Sequence, residues 1–215
     1  MPRYLSNRDC PESNLYPSVF TYDGIALPTA EHHLMRAKAK LFNDMRAMRK
    51  IAFAVSGSCA RKVGRKIQNF DKAVWDARCD DLLEDILLAK FMSSPALLCH
   101  ITTTEGPFYE ASTRSKTWGI GINLKAAERG EPHVGQNKIG KALDRVQQRV
   151  IGLSDKLKAM TGPEGWERVQ ELVDDAYEAL EAAGVPDPDA QRLPPEVAAE
   201  VVGLVCGKGC SGASV

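Results

Sequence analysis

The chain has 215 residues and a mass of 23.5 kDa, room for one ordinary domain with an appendage or for two small domains. Lys plus Arg and Asp plus Glu both number 28, so the formal net charge is zero; this excludes a uniformly basic nucleic-acid coat and an acidic disordered tail, though not a local basic groove. A hydrophobic share of 44% with no long apolar run, and an N-terminus without an apolar signal region, predict a soluble cytoplasmic protein with no membrane contact.

Residues 1–28 are rich in turn formers. Within them Val19-Phe20-Thr21-Tyr22 and Gly24-Ile25-Ala26-Leu27 read as strands of a hairpin turning at Asp23-Gly24. Thr29 is placed to cap a helix whose apolar positions Leu34, Ala37 and Leu41 recur at helical spacing to about Phe42. A second helical piece spans about 43–55 and ends at Ser56-Gly57-Ser58; a short basic helix follows at Cys59 to Lys66. Asp71 caps a long helix over 72–92 with an expected stripe of Trp75, Leu82, Ile86 and Ala89. Another helix is expected over 95–104, a short strand at Phe108–Ala111, irregular chain over 112–138 and a helix over 138–160.

Thr161-Gly162-Pro163 marks a composition break. Beyond it come an acidic amphipathic helix over 164–183, a proline-punctuated stretch, a short helix at 196–205 and a flexible tail from Cys206. The expected architecture is mainly helical with a few short β-strands, an α+β domain over 1–155 followed by a helical C-terminal extension over 156–215. That extension is a candidate surface for a protein partner.

Six cysteines occur without a CxxC pair and four histidines without an HExxH pattern, so reduced thiols are expected, with no metal and no cofactor. Four segments carry possible chemistry. In the first, Glu31 falls in the first turn of its helix, where backbone N–H groups and the helix dipole favour a negative charge. Lys38 lies seven positions on, on the same face and roughly 10 Å along the axis, so the two can bracket one small group. In the second, Arg61-Lys62-Val63-Gly64-Arg65-Lys66 places four cations in six residues, either a phosphate holder or a solvated face. Trp75 is either core or a stacking platform. The third, Trp118-Gly119-Ile120-Gly121, sets an aromatic ring beside a backbone that a ligand can approach, without the surroundings of a dinucleotide fingerprint. The fourth, Gly135-Gln136-Asn137-Lys138-Ile139-Gly140-Lys141, opens a helix with polar groups.

Taken together and in order, these segments resemble the NADAR family of YbiA-like proteins. The resemblance begins at Ser13-Asn14-Leu15-Tyr16-Pro17-Ser18-Val19-Phe20 and continues through Asp23-Gly24 and Pro28-Thr29-Ala30-Glu31-His32 with Lys38. Gly64-Arg65, Trp75, Ala89-Lys90-Phe91, Glu110, Trp118-Gly119-Ile120-Gly121 and Gly135-Gln136-Asn137 follow in register, over about residues 4–150. The resemblance implies an N-glycosidase acting on ribose joined through C1 to an amine. Two substrates come with it: ADP-ribose attached to the amino group of guanine in DNA or RNA, which is the favoured one, and ribosylamine intermediates of riboflavin biosynthesis. A non-catalytic ADP-ribose- or NAD-binding module is the alternative of another class.

The resemblance makes Glu31 and Lys38 catalytic candidates and Trp75 and Trp118 walls of the site. Lys38 would position Glu31, contact ribose hydroxyls or attack C1. Asn14, Arg65, Gly119, Gly121 and Asn137 are carried as substrate-binding candidates, with Arg65 and Asn137 contacting phosphate or ribose. Ser115 stands where the family often has Asp, three residues before Trp-Gly, so the resemblance supplies no second carboxylate at that point. Cleavage of a ribosyl C–N bond builds positive charge on the sugar, which calls for a nearby carboxylate and a proton donor for the leaving amine.

Overall fold

A computed structural model describes residues 2–5 and 10–182. Elements run in the order β1 (Arg3–Leu5), β2 (Phe20–Tyr22), β3 (Ile25–Leu27), α1 (Ala30–Leu41), α2 (Met45–Ala52), α3 (Gly57–Gly64), α4 (Lys72–Phe91), α5 (Pro95–Thr103), β4 (Phe108–Glu110), α6 (Leu124–Glu128) and α7 (Lys138–Ala182). The expected α+β class, mainly helical with short strands, is the class observed.

β2 and β3 form the antiparallel hairpin, with Phe20 opposite Leu27 and Tyr22 opposite Ile25. Asp23 (φ 52°) and Gly24 (φ 73°) both take positive φ, the type I′ turn that matches the twist of two strands. The Asp23 carboxylate then accepts from Arg36 at 2.8 Å and Lys40 at 2.7 Å, fastening the hairpin to α1. Its pKa is lowered, chiefly by the Lys40 hydrogen bond and then that of Arg36.

The helices start where the side-chain oxygens allow. Thr29, Asp44, Ser56, Asp71, Ser94 and Asn123 each accept from a backbone N–H of the first turn. Ser56 therefore begins α3 at Gly57, whereas the sequence reads Ser56-Gly57-Ser58 as a break and starts that helix at Cys59. The buried face of α4 is Trp75, Cys79, Leu83, Ile86, Leu87, Lys90 and Phe91. Leu82 and Ala89 of the expected stripe sit at its margin, only partly buried.

Two elements go beyond the sequence reading. Arg3–Leu5 pairs in parallel with Phe108–Glu110, and α6 interrupts the stretch expected to be irregular. α7 joins two helices across Gly162 (φ 70°, ψ 176°), the place of the expected composition break. Ile139, Ala142, Leu143, Val146 and Val150 of α7 complete a core that contains Leu34, Ile51, Leu83, Ile86, Phe91, Ile101 and Phe108. The expected helix at 196–205 and the tail lie outside the described residues.

Candidate active site

α1 and α3 are brought face to face by small residues. Gly57, Ala60 and Gly64 are the buried positions of α3. A Cβ on Gly57 would stand 3.1 Å from Glu31 Cβ and 2.7 Å from Leu15 Cδ2; one on Gly64 would overlap Met35 Sδ. With α3 this close, Arg61 meets Glu31 in a two-pronged ion pair, Nε to Oε1 at 2.8 Å and Nη2 to Oε2 at 2.7 Å. Glu31 is buried, and its backbone N–H donates to Asn14 O at 2.9 Å.

Glu110, at the end of β4, joins this pair. Burial pushes its carboxyl up to about 7, with the Arg61 charge opposing the rise and the Glu31 charge adding to it. In turn the Arg61 pKa is raised, first by its hydrogen bonds to Glu31. One carboxylate thus pairs with the guanidinium while the second feels its charge. The second of them comes from β4 and not from the 112–118 loop, where Ser115 Oγ instead accepts from the Trp118 N–H at 3.1 Å and holds the turn.

The other candidates surround this cluster. Lys38 Nζ donates to Gly64 O at 3.1 Å and lies 4.1 Å from the Phe70 ring centroid and 5.4 Å from that of Trp75. Burial lowers its pKa. Trp75 is buried and packs against Trp118, centroids 6.4 Å apart and planes tilted by 59°. Trp118 leads into Gly119, where a Cβ would stand 3.2 Å from Glu110 Cγ. Contacts, charge and chain continuity together arrange the candidates in a ring: Arg61 pairs with Glu31 and acts through its charge on Glu110, Glu110 lies against Gly119, Trp118 meets Trp75, and Lys38 beside Trp75 bonds to Gly64 on the same helix as Arg61. Because Arg61 takes both Glu31 oxygens, it is Arg61 that positions that carboxylate. Asn14 is buried at the start of α1, and its Oδ1 has no protein partner.

Three candidates serve the backbone. Asn137, with φ 52°, donates from Nδ2 to Phe108 O at 2.8 Å and accepts from Glu110 N at 3.0 Å, clamping β4 on both sides of Tyr109. Gly119 is closed on its open side by Glu110 O, 2.5 Å from where a Cβ would stand, and Gly121 (φ 79°) by Val134 and Gly135. Gly135 N and Asn137 N donate to Ile120 O and Gly119 O, so the third and fourth segments zip to each other. Arg65, the α3 C-cap, is exposed, four residues beyond Arg61 on the same helical face. His32 and His33 are structural, bonded to Thr29 and Ala54 O and to Phe20 O respectively. No group of three His, Cys, Asp or Glu side chains able to hold a metal occurs among the described residues.

The family model of the NADAR domain matches residues 4–151. The chain belongs to this family. The N-glycosidase R617 of Acanthamoeba polyphaga mimivirus is 31% identical over 125 residues, 56% of this chain and 72% of the viral one. The NMR structure of the E. coli protein YbiA superposes with a TM-score of 0.57 at 19% identity, covering 72% of this chain and 89% of YbiA. The likeness to YbiA is one of fold.

Sequence reasoning missed Arg61 as a positioning group and Glu110 as a second carboxyl. Both lie in segments quoted for the resemblance or beside them. The available signal for Arg61 was the Gly57–Ala60–Gly64 spacing, which turns Arg61 and not Lys62 toward α1.

Proposed function

We propose that this chain, an N-glycosidase like its mimivirus relative, hydrolyses the bond between ribose C1 of ADP-ribose and the amino nitrogen of guanine in nucleic acid. The observation that carries this reading is the pair of carboxyl groups around Arg61, one ion-paired and one raised to about 7. The raised Glu110 carboxyl holds a proton near neutral pH and gives it to the departing amino nitrogen. The Glu31 carboxylate faces the positive charge that develops at C1 and receives a proton from the attacking water. Water oxygen bonds to C1, the C1–N bond breaks, and guanine leaves with its amino group restored.

Lys38, between two aromatic rings, supplies a cation for ribose or phosphate oxygens. Trp118 offers a partly exposed ring for stacking, and the unpartnered Asn14 Oδ1 accepts from a ribose hydroxyl or an amine. Mass spectrometry of a guanine-ADP-ribosylated oligonucleotide tests the reading. Loss of the ADP-ribosyl mass is expected with the wild type and not with Glu31→Ala, whose circular dichroism should remain native. An oligonucleotide left intact by the wild type overturns the substrate assignment and moves it to ribosylamine intermediates.

A further inference from the structure

A second feature lies outside the ring of site residues. α2 and α3 border an open groove of about 360 Å³ lined by Asp44, Arg46, Ala47, Lys50, Lys62, Val63, Lys66 and Gln68. Four of these are cations, in a chain with zero formal net charge. The one acid, Asp44, is already engaged, accepting from Ala47 N at 2.8 Å and Gln68 N at 2.9 Å. Arg46 and Lys50 are one helical turn apart on α2, and Phe53 continues their line three positions later. The Phe53 ring is 88% exposed, which an apolar aromatic seldom is without a partner. Across the groove, Lys62 and Lys66 are likewise one turn apart. They stand one residue along from Arg61 and Arg65, about 100° around the same helix from the face that meets Glu31.

We propose that this groove is a track for single-stranded nucleic acid, Arg46, Lys50, Lys62 and Lys66 holding successive phosphates and Phe53 stacking on a base. A cationic groove with an exposed aromatic side chain on the helix that borders it is the combination that binds unpaired strands without sequence preference. The inference deepens the glycosidase reading and rests on it for the substrate: a guanine held in the ring leaves its flanking phosphates to cross α3 into the groove. The enzyme then acts on a polymer in preference to a nucleotide.

Fluorescence polarisation with a dye-labelled, unmodified single strand of a dozen nucleotides tests the groove apart from catalysis. Lys50→Glu/Lys66→Glu should weaken binding at least tenfold and reduce the log–log salt slope by about 1.4, the share of two phosphate contacts. Phe53→Ala should weaken it about fivefold or more at unchanged salt slope. Turnover gives the second arm: kcat/KM on an ADP-ribosylated oligonucleotide falls with the charge reversals, while kcat/KM on ADP-ribosylated guanosine does not. Strand binding unchanged in both variants overturns the track. So does equal binding of a polyglutamate peptide, which would assign the groove to an acidic protein. If no ADP-ribosyl bond is cleaved by the wild type, the glycosidase reading fails while the polarisation result still decides the groove.

Discussion

At Glu110 burial outweighs the pull of the Arg61 charge. The carboxyl is held up near 7 by loss of water, so it stays protonated where Glu31 already satisfies Arg61. As a general acid it is competent below about 7 and is lost above it, so turnover should decline on the alkaline side with a midpoint near that value. Glu110→Gln should abolish this limb and leave a low, flat profile; a limb that survives would assign the acid elsewhere. The same shift has a stability sign. Between the ordinary carboxyl value of 4.5 and about 7 the folded state binds more protons, so this group's contribution falls as pH rises through that window. Glu110→Gln should therefore raise the melting temperature by about 3 °C or more at pH 8, and change it little at pH 4. The places of Glu31 and Lys38 on α1 and of Trp75 on the buried face of α4 were legible because a cap, a seven-residue spacing and a helical stripe all speak locally. The role of Arg61 was not, since it depends on which face of α3 meets α1.

Helix starts were legible at Thr29 and Asp71, where a side-chain oxygen precedes the first turn of a clearly periodic segment. They failed at Ser56, where a cap followed by glycine resembles a turn, and at α6, whose five residues carry too short a pattern. The glycines of α3 thus give the segment the look of a loop and at the same time admit α1. Gly57→Ala sets a methyl against Leu15, Thr29 and Glu31. It should cost about 1–3 kcal/mol, and at a temperature where the variant is folded it should still lower kcat, because the methyl presses on the Cβ that carries the Glu31 carboxylate. Thermal melts and kinetics on one preparation check this. Asn137→Ala removes a clamp on Phe108 and Glu110, so the melting temperature of the ligand-free protein should fall by several degrees. A residue whose whole role is contact with phosphate would leave that melt unmoved.

At the scale of the molecule, the α+β class was legible from helical spacing and caps. The β1–β4 pairing was not: three-residue strands have almost no periodicity, and their partners lie 105 positions apart. Among the described residues the buried positions of α7 end at Val150, while Ile151 and Leu153 are 40% and 48% exposed. Deleting residues 161–215 should therefore leave both turnover and the melting temperature nearly unchanged, within about 2 °C. Unchanged turnover would leave the acidic segment after Gly162 for a protein partner; lost turnover would bring it into the active domain.

The parallel pairing of Arg3–Leu5 with Phe108–Glu110 has a consequence in time. During synthesis the first strand must wait for about a hundred further residues before its partner exists, and Asn137, which clamps that partner, comes later still. Closing so long a loop is a slow, late step. Glu110 thus reaches its place only when nearly the whole domain has left the ribosome, and a nascent chain stalled earlier carries Glu31 and Arg61 without the acid that completes them.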